Sequence, residues 1–132
     1  MKVVIDTNVI VSGLLNPYGA PGEVIRMLVS GALEICYDAR ILSEYREVLN
    51  RSKFRFDKND IEDVLKYIEH SGCSVAAGLV EYKASDINDQ MFLEAAVCCN
   101  AQYLITGNKA DFPPHVKGLT IISPKGFMDK HR

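Results

Sequence analysis

An α/β fold with a central, mostly parallel sheet of four to five strands is predicted from three observations. Helical and strand patterns alternate along all 132 residues, an order that builds parallel sheets covered by helices on both faces. The chain opens MKVVIDTN, and its Val3-Val4-Ile5 run is β-branched without polar alternation, as in a strand buried on both faces. Such a strand delivers Asp6, Thr7 and Asn8 to the carboxyl edge of the sheet, where open α/β folds hold their ligands.

The remaining elements follow in order. A helical stretch runs from about Asn8 to Leu15, and NPYGAPG is a turn rich in Gly and Pro. GEVIRMLVSG carries Val24, Ile25, Leu28 and Val29 at helical spacing and is ended by Gly31. LEICY is the second strand. DARILSEYREVLNR reads as an amphipathic helix that Asp38 can cap. DKNDIEDVLKYIEHSG sets Ile61, Val64, Leu65 and Ile68 on one stripe and stops at Gly72. CSVAA is a weaker third strand, NDQMFLEAAVCCNA a largely apolar helix, and QYLIT and LTIIS the last two strands. PKGFMDK is expected to be a short closing turn. With no repeat, low-complexity tract or linker, residues 1–132 read as a single domain.

Composition narrows the function classes. Hydrophobic residues make up 48% of the chain, and no apolar run approaches the ~20 residues that span a bilayer. Asp6 interrupts the first apolar stretch too early for a secretory signal. Cys36, Cys73, Cys98 and Cys99 lack CxxC or His spacing, so they read as small buried apolar residues in a reducing, cytoplasmic setting. A net charge of −2 means that any nucleic-acid contact must be local. One candidate is NRSKFRFDKND, where Arg51, Lys53, Arg55 and Lys58 surround Phe54 and Phe56. Cations there could hold phosphates and an exposed aromatic could stack on a base. Alternatively the segment joins two helices, with buried Phe and solvated charges. Lys109 is a further candidate for contact with a nucleic-acid backbone.

The acids fall at suggestive places. Asp6 ends strand one, and Glu44 lies in the helix after strand two. Asp86 and Asp89 begin the helix after strand three, and Asn108 and Asp111 follow strand four. Each has a mundane role available: Asp6 as a helix cap, Asp86 and Asp89 as a capping pair favoured by the helix dipole, Asn108 as a turn residue, and Asp111 and Glu44 as solvated polar groups. Accidental convergence of all of them is harder to accept. At 100° per residue the apolar stripe of the third helix is Ile41, Leu42, Tyr45, Val48 and Leu49. Glu44 borders that stripe, whereas Glu47 points to solvent. Crowded carboxylates repel one another and need a cation. Oxygen donors without His or Cys select Mg²⁺ or Mn²⁺. Such ions activate water and stabilise charge on a phosphate under in-line attack.

IDTNVIVSGLL, ILSEYREVL, DINDQMFLEAA and YLITGNKADF, in that order, resemble the PIN domain, and specifically PIN-family toxins of prokaryotic toxin–antitoxin pairs. The motifs run from residue 3 to residue 112, and LTIISPKGFM also fits. The resemblance implies a three-layer α/β/α fold and a Mg²⁺- or Mn²⁺-dependent endoribonuclease that hydrolyses RNA. It also implies a small antitoxin partner and a homodimer. Carried over residue by residue, the metal-holding and catalytic acids are Asp6, Glu44, Asp89 and Asp111. Thr7, Asn8 and Asp86 support them, and Thr106 approaches the metal. Many relatives read TGD in the fourth motif, where this chain reads Thr106-Gly107-Asn108. Other branches carry Asn followed three residues later by Asp-Phe, as Asn108 and Asp111-Phe112 do. Asp111 is therefore expected to supply the fourth carboxylate, and Asn108 to position a water or phosphate. Asn88 likewise stands where many close relatives have an acid.

Other enzyme classes fit poorly. A phospho-accepting receiver domain needs adjacent acids after strand one, a dinucleotide-binding domain needs GxGxxG, and a serine or cysteine hydrolase needs a nucleophile elbow. The chain has none of these motifs. The serious rival is a PIN-like module that binds RNA or protein without cutting, for which Asn108 is the best support.

Overall fold

Val3, Val4 and Ile5 are completely buried, because β1 (Lys2–Ile5) is the middle strand of five. A computed structural model describes all 132 residues. After β1 come helices α1 (Thr7–Leu15) and α2 (Ala20–Val29), strand β2 (Glu34–Tyr37), and helices α3 (Ala39–Leu49) and α4 (Lys58–Ser71). Strand β3 (Cys73–Ser74), helix α5 (Gln90–Cys98), strands β4 (Tyr103–Ile105) and β5 (Thr120–Ile122), and helix α6 (Pro124–His131) complete the chain. The sheet order is β3-β2-β1-β4-β5, and every pairing is parallel. Helix α5 packs on β1, β2 and β4, while α1 packs on α2, α2 on α6, and α4 on β2. The result is a three-layer α/β/α arrangement, with 33 buried apolar side chains in one continuous cluster.

Local signals explain most boundaries. The Asp38 carboxylate accepts from the Ile41 amide and starts α3. Ile41, Tyr45 and Leu49 are buried while Glu47 is exposed, so the stripe read from the sequence is the buried face. Burying each such side chain is worth roughly 1.5–3 kcal/mol. Asp57 caps α4 through the amides of Asn59 and Asp60. Gly72 ends α4 where a Cβ would stand 2.5 Å from the Ile68 carbonyl oxygen and 2.7 Å from that of Ile35. Only glycine lets β3 start so close to β2.

Three expectations need correction. PKGFMDK is not a turn but most of helix α6, because the Ser123 hydroxyl caps it at the Gly126 amide and Phe127 buries against Tyr103. The third strand is only two residues long. An irregular stretch, 75–86, follows it. The cysteines are not uniformly buried: Cys36 and Cys99 are, Cys73 is half-buried and Cys98 is exposed.

Candidate functional site

The strand order runs outward from β1 to β3 on one side, then continues through β4 and β5 on the other. The seam between β1 and β4 is thus a switch point, where a crevice opens beyond the carboxyl ends of the strands. Ile5 lies opposite Ile105, so Asp6 and Thr106 leave the sheet side by side. The Thr106 hydroxyl donates to Asp6 Oδ2 at 2.7 Å, and the Asp6 amide donates to the Ile105 carbonyl at 2.9 Å. The Asp6 side chain completes no helix-capping bond, although the amides of Asn8 and Thr7 favour its charged form. Burial outweighs these hydrogen bonds and, with the charge of Glu44 adding to it, holds the Asp6 carboxyl above its ordinary pKa.

Tyr45 brings Glu44 to this seam. Its fully buried hydroxyl donates to the Ile5 carbonyl, which fixes α3 at the end of β1. Glu44, the preceding residue, then accepts a hydrogen bond from the Thr7 hydroxyl. Sequence periodicity marks Tyr45 only as a core residue. Its second role depends on β1 ending beneath it.

The other acids arrive on two short 3₁₀ turns. Asp86 accepts from the Asn88 amide at 2.9 Å and caps the turn Ile87–Asp89. Asp89, half-buried at the start of α5, has its carboxyl pushed up to about 6 by burial and by the charges of Asp6, Asp86, Asp111 and Glu44. Asp111 ends the turn Lys109–Asp111, and its carbonyl accepts from the Ser85 amide at 2.8 Å. That bond ties the segment before Asp86 to the one after β4. Asn108 is exposed, and its amide donates to the Thr106 hydroxyl at 3.0 Å. The Asn8 side chain accepts from the Gly107 amide at 3.3 Å.

Asp6, Glu44, Asp86 and Asp111 therefore all lie within electrostatic reach of Asp89, and none of the five is ion-paired to a Lys, Arg or His. No three His, Cys, Asp or Glu side chains are gathered closely enough to hold an ion in this structure. Asp6 and Glu44 each accept from a threonine hydroxyl. An all-oxygen, uncompensated donor set fits a hard divalent cation such as Mg²⁺ or Mn²⁺.

The expected backbone-binding cations do not join this group. Arg51 pairs with Glu47 at 3.0 Å, and Lys53 lies over the Phe54 ring. Phe54 and Phe56 stack on each other, half-buried against the core. Arg55 is exposed with φ 55°. The segment fits a helix connection better than a base-stacking platform, because its aromatic surface is spent on packing. Lys109 borders a separate cleft with Tyr82 and His115.

Sequence reasoning missed a neighbouring network. Asp38 and Glu94 are both 5% exposed. Arg40 binds Asp38 Oδ2 through Nε (3.0 Å) and Nη2 (2.7 Å), and Glu94 Oε1 through Nη1 (2.8 Å). Arg40, Glu94 and Glu44 together line a cleft of about 690 Å³. An acid inside the apolar run MFLEAA was the available signal.

A family model described as PIN domain matches residues 2–110. No curated protein matches the chain.

Proposed function

The chain belongs to the PIN-domain family, whose fold is of nuclease type, and from that premise we propose a metal-dependent endoribonuclease. Its reaction is hydrolysis of RNA phosphodiester bonds. The observation that carries this proposal is the set of carboxylates at the β1–β4 seam without a cationic partner. Asp6, Glu44, Asp89 and Asp111 would hold Mg²⁺ or Mn²⁺. The ion, when bound, supplies water activation and neutralises charge on the phosphate.

The chain's own groups prepare that role. Thr106 holds Asp6 Oδ2, and Thr7 holds Glu44, so both carboxylates have a fixed orientation. Burial of Asp6 lowers local water content and strengthens its interaction with a cation. Asn108, whose amide donates to the Thr106 hydroxyl, would orient a water or a substrate phosphate. No side-chain nucleophile is required.

The motif resemblance supports a finer assignment: the toxin of a toxin–antitoxin pair, cytoplasmic, homodimeric, and held in check by a small antitoxin. No helix is long and apolar enough to cross a membrane. A non-cutting RNA- or protein-binding module is the second reading, favoured by a neutral, exposed Asn108 in the fourth motif.

RNA cleavage with Mn²⁺, with and without EDTA, tests the assignment. Glu44→Gln should slow cleavage by about a hundredfold or more, while exposed Glu47→Gln changes rate and stability little. RNA that is bound but left intact with Mn²⁺ identifies the binding module. Equal cutting in EDTA rejects the metal mechanism.

A further inference from the structure

The cleft beside Glu44 has a composition that metal binding does not explain. Its rim carries Leu79 and Ile87, 98% and 86% exposed, the two most exposed aliphatic side chains of the chain. Leu79 belongs to the irregular stretch after β3, and Ile87 to the 3₁₀ turn that carries Asp89. Arg40 lines the same cleft, with its side chain 49% exposed. Three guanidinium N–H directions are committed to Asp38 and Glu94. Those bonds offset its charge and fix its plane, so it is a poor phosphate grip and a good flat surface. Guanidinium planes and apolar side chains both stack on unpaired bases. Exposed Ser43 and Asn88 add polar groups at the edge. A volume of about 690 Å³ lies within the ordinary range of small-ligand clefts.

We propose that this cleft is a nucleobase subsite. It takes one unpaired base of a single-stranded RNA, stacked between the immobilised Arg40 plane and the Leu79–Ile87 lip. Glu44 belongs to both the cleft and the acidic cluster, so the base is that of a nucleotide flanking the scissile phosphate. The subsite rests on the nuclease reading for that placement, and it gives the enzyme a means of choosing where to cut. Asn88 is the side chain best placed to read the base edge.

The test uses the full chain and ten-nucleotide single-stranded RNAs carrying 2-aminopurine at one position at a time. Binding is followed in EDTA by fluorescence, and cleavage with Mn²⁺ by product mapping. Wild type should quench the probe at one position and cut at a fixed distance from it. L79S/I87S, which changes only exposed groups, should bind about tenfold or more weakly, raise KM, flatten base preference at that position and leave kcat close to wild type. Arg40→Lys keeps a cation for the two buried acids while removing the plane, and should lose quenching in the same position. If wild type cuts but both variants keep its KM, quenching and cut pattern, the subsite is overturned and the nuclease stands. If wild type binds RNA without cutting it and L79S/I87S loses the quenching, the base subsite stands without the nuclease. A wild type that neither binds nor cuts RNA overturns both, and leaves the apolar lip as a protein-docking surface.

Discussion

Asp38 and Glu94 are as buried as Asp6, each 5% exposed, yet the two regions treat their acids oppositely. Asp38 and Glu94 share Arg40, whose guanidinium satisfies both. Asp6 and Glu44 accept from threonine hydroxyls and Asp86 from the Asn88 amide, and neither they nor Asp89 and Asp111 are paired with a cation. Buried carboxylates cost several kcal/mol unless paired. Of the second set only Asp6 is buried, and it is the one buried carboxylate of the three that has no cation beside it.

The largest effect should come from breaking the unpaired set. Mg²⁺ or Mn²⁺ is expected to raise the melting temperature of wild type, and Asp6→Asn to abolish that rise and to reduce RNA cleavage by about a hundredfold or more. A cation at a hundred times its dissociation constant stabilises by about 2.7 kcal/mol, readily seen in a thermal scan. A wild type with no metal-dependent shift would remove the contrast altogether.

Breaking the paired set should act on folding instead. Arg40→Ala leaves two buried carboxylates without a cation, at a cost of about 2–4 kcal/mol after allowing for the half-exposed arginine. Urea unfolding measures it. Metal should not rescue this variant beyond its effect on wild type. A loss below 0.5 kcal/mol, the range of ordinary surface changes, would mean that Asp38 and Glu94 do not depend on Arg40.

The fourth motif sharpens the boundary of the unpaired set. Asp111→Asn should weaken metal affinity and single-turnover cleavage by about tenfold, more than Asn108→Ala does. Asn108→Asp should tighten the metal by adding charge. Should Asp111→Asn match wild type while Asn108→Ala is inert, Asp111 is only a loop carboxylate.

The smallest effect is a pH slope in metal-free protein. With its carboxyl near 6 in the fold, against about 3.9 in an unfolded chain, Asp89 keeps its proton longer when folded. The native state therefore holds more protons than the unfolded state between about pH 4 and pH 6, so Asp89 makes stability fall as pH rises through that window and level off above it. Asp89→Asn should flatten the slope in EDTA, and wild-type metal affinity should weaken below about pH 6. An unchanged slope in the variant would assign it elsewhere, Asp6 being the next candidate.

The sequence by itself determined the order of elements, the burial of β1, the inward stripe of α3 and the greater burial of Glu44 than of Glu47. These follow from local periodicity, which a single strand or helix carries whole. It also determined that Asp6 stands at a strand end, directly after β1, since a parallel strand delivers the residue that follows it to one edge. Only the tertiary structure decided that the terminal PKGFMDK segment is helical, because its apolar face exists only against β4 and α2. The same holds for the packing of Phe54 and Phe56 against the core, which is a long-range contact. Arg40 and Glu94 lie 54 positions apart, so no window of sequence contains their pairing. The Tyr45–Ile5 and Thr106–Asp6 hydrogen bonds are likewise products of the β1–β4 seam. Residue types and local periods are written in the chain, whereas cations, hydroxyls and carboxylates find their partners only once the sheet has brought distant segments together.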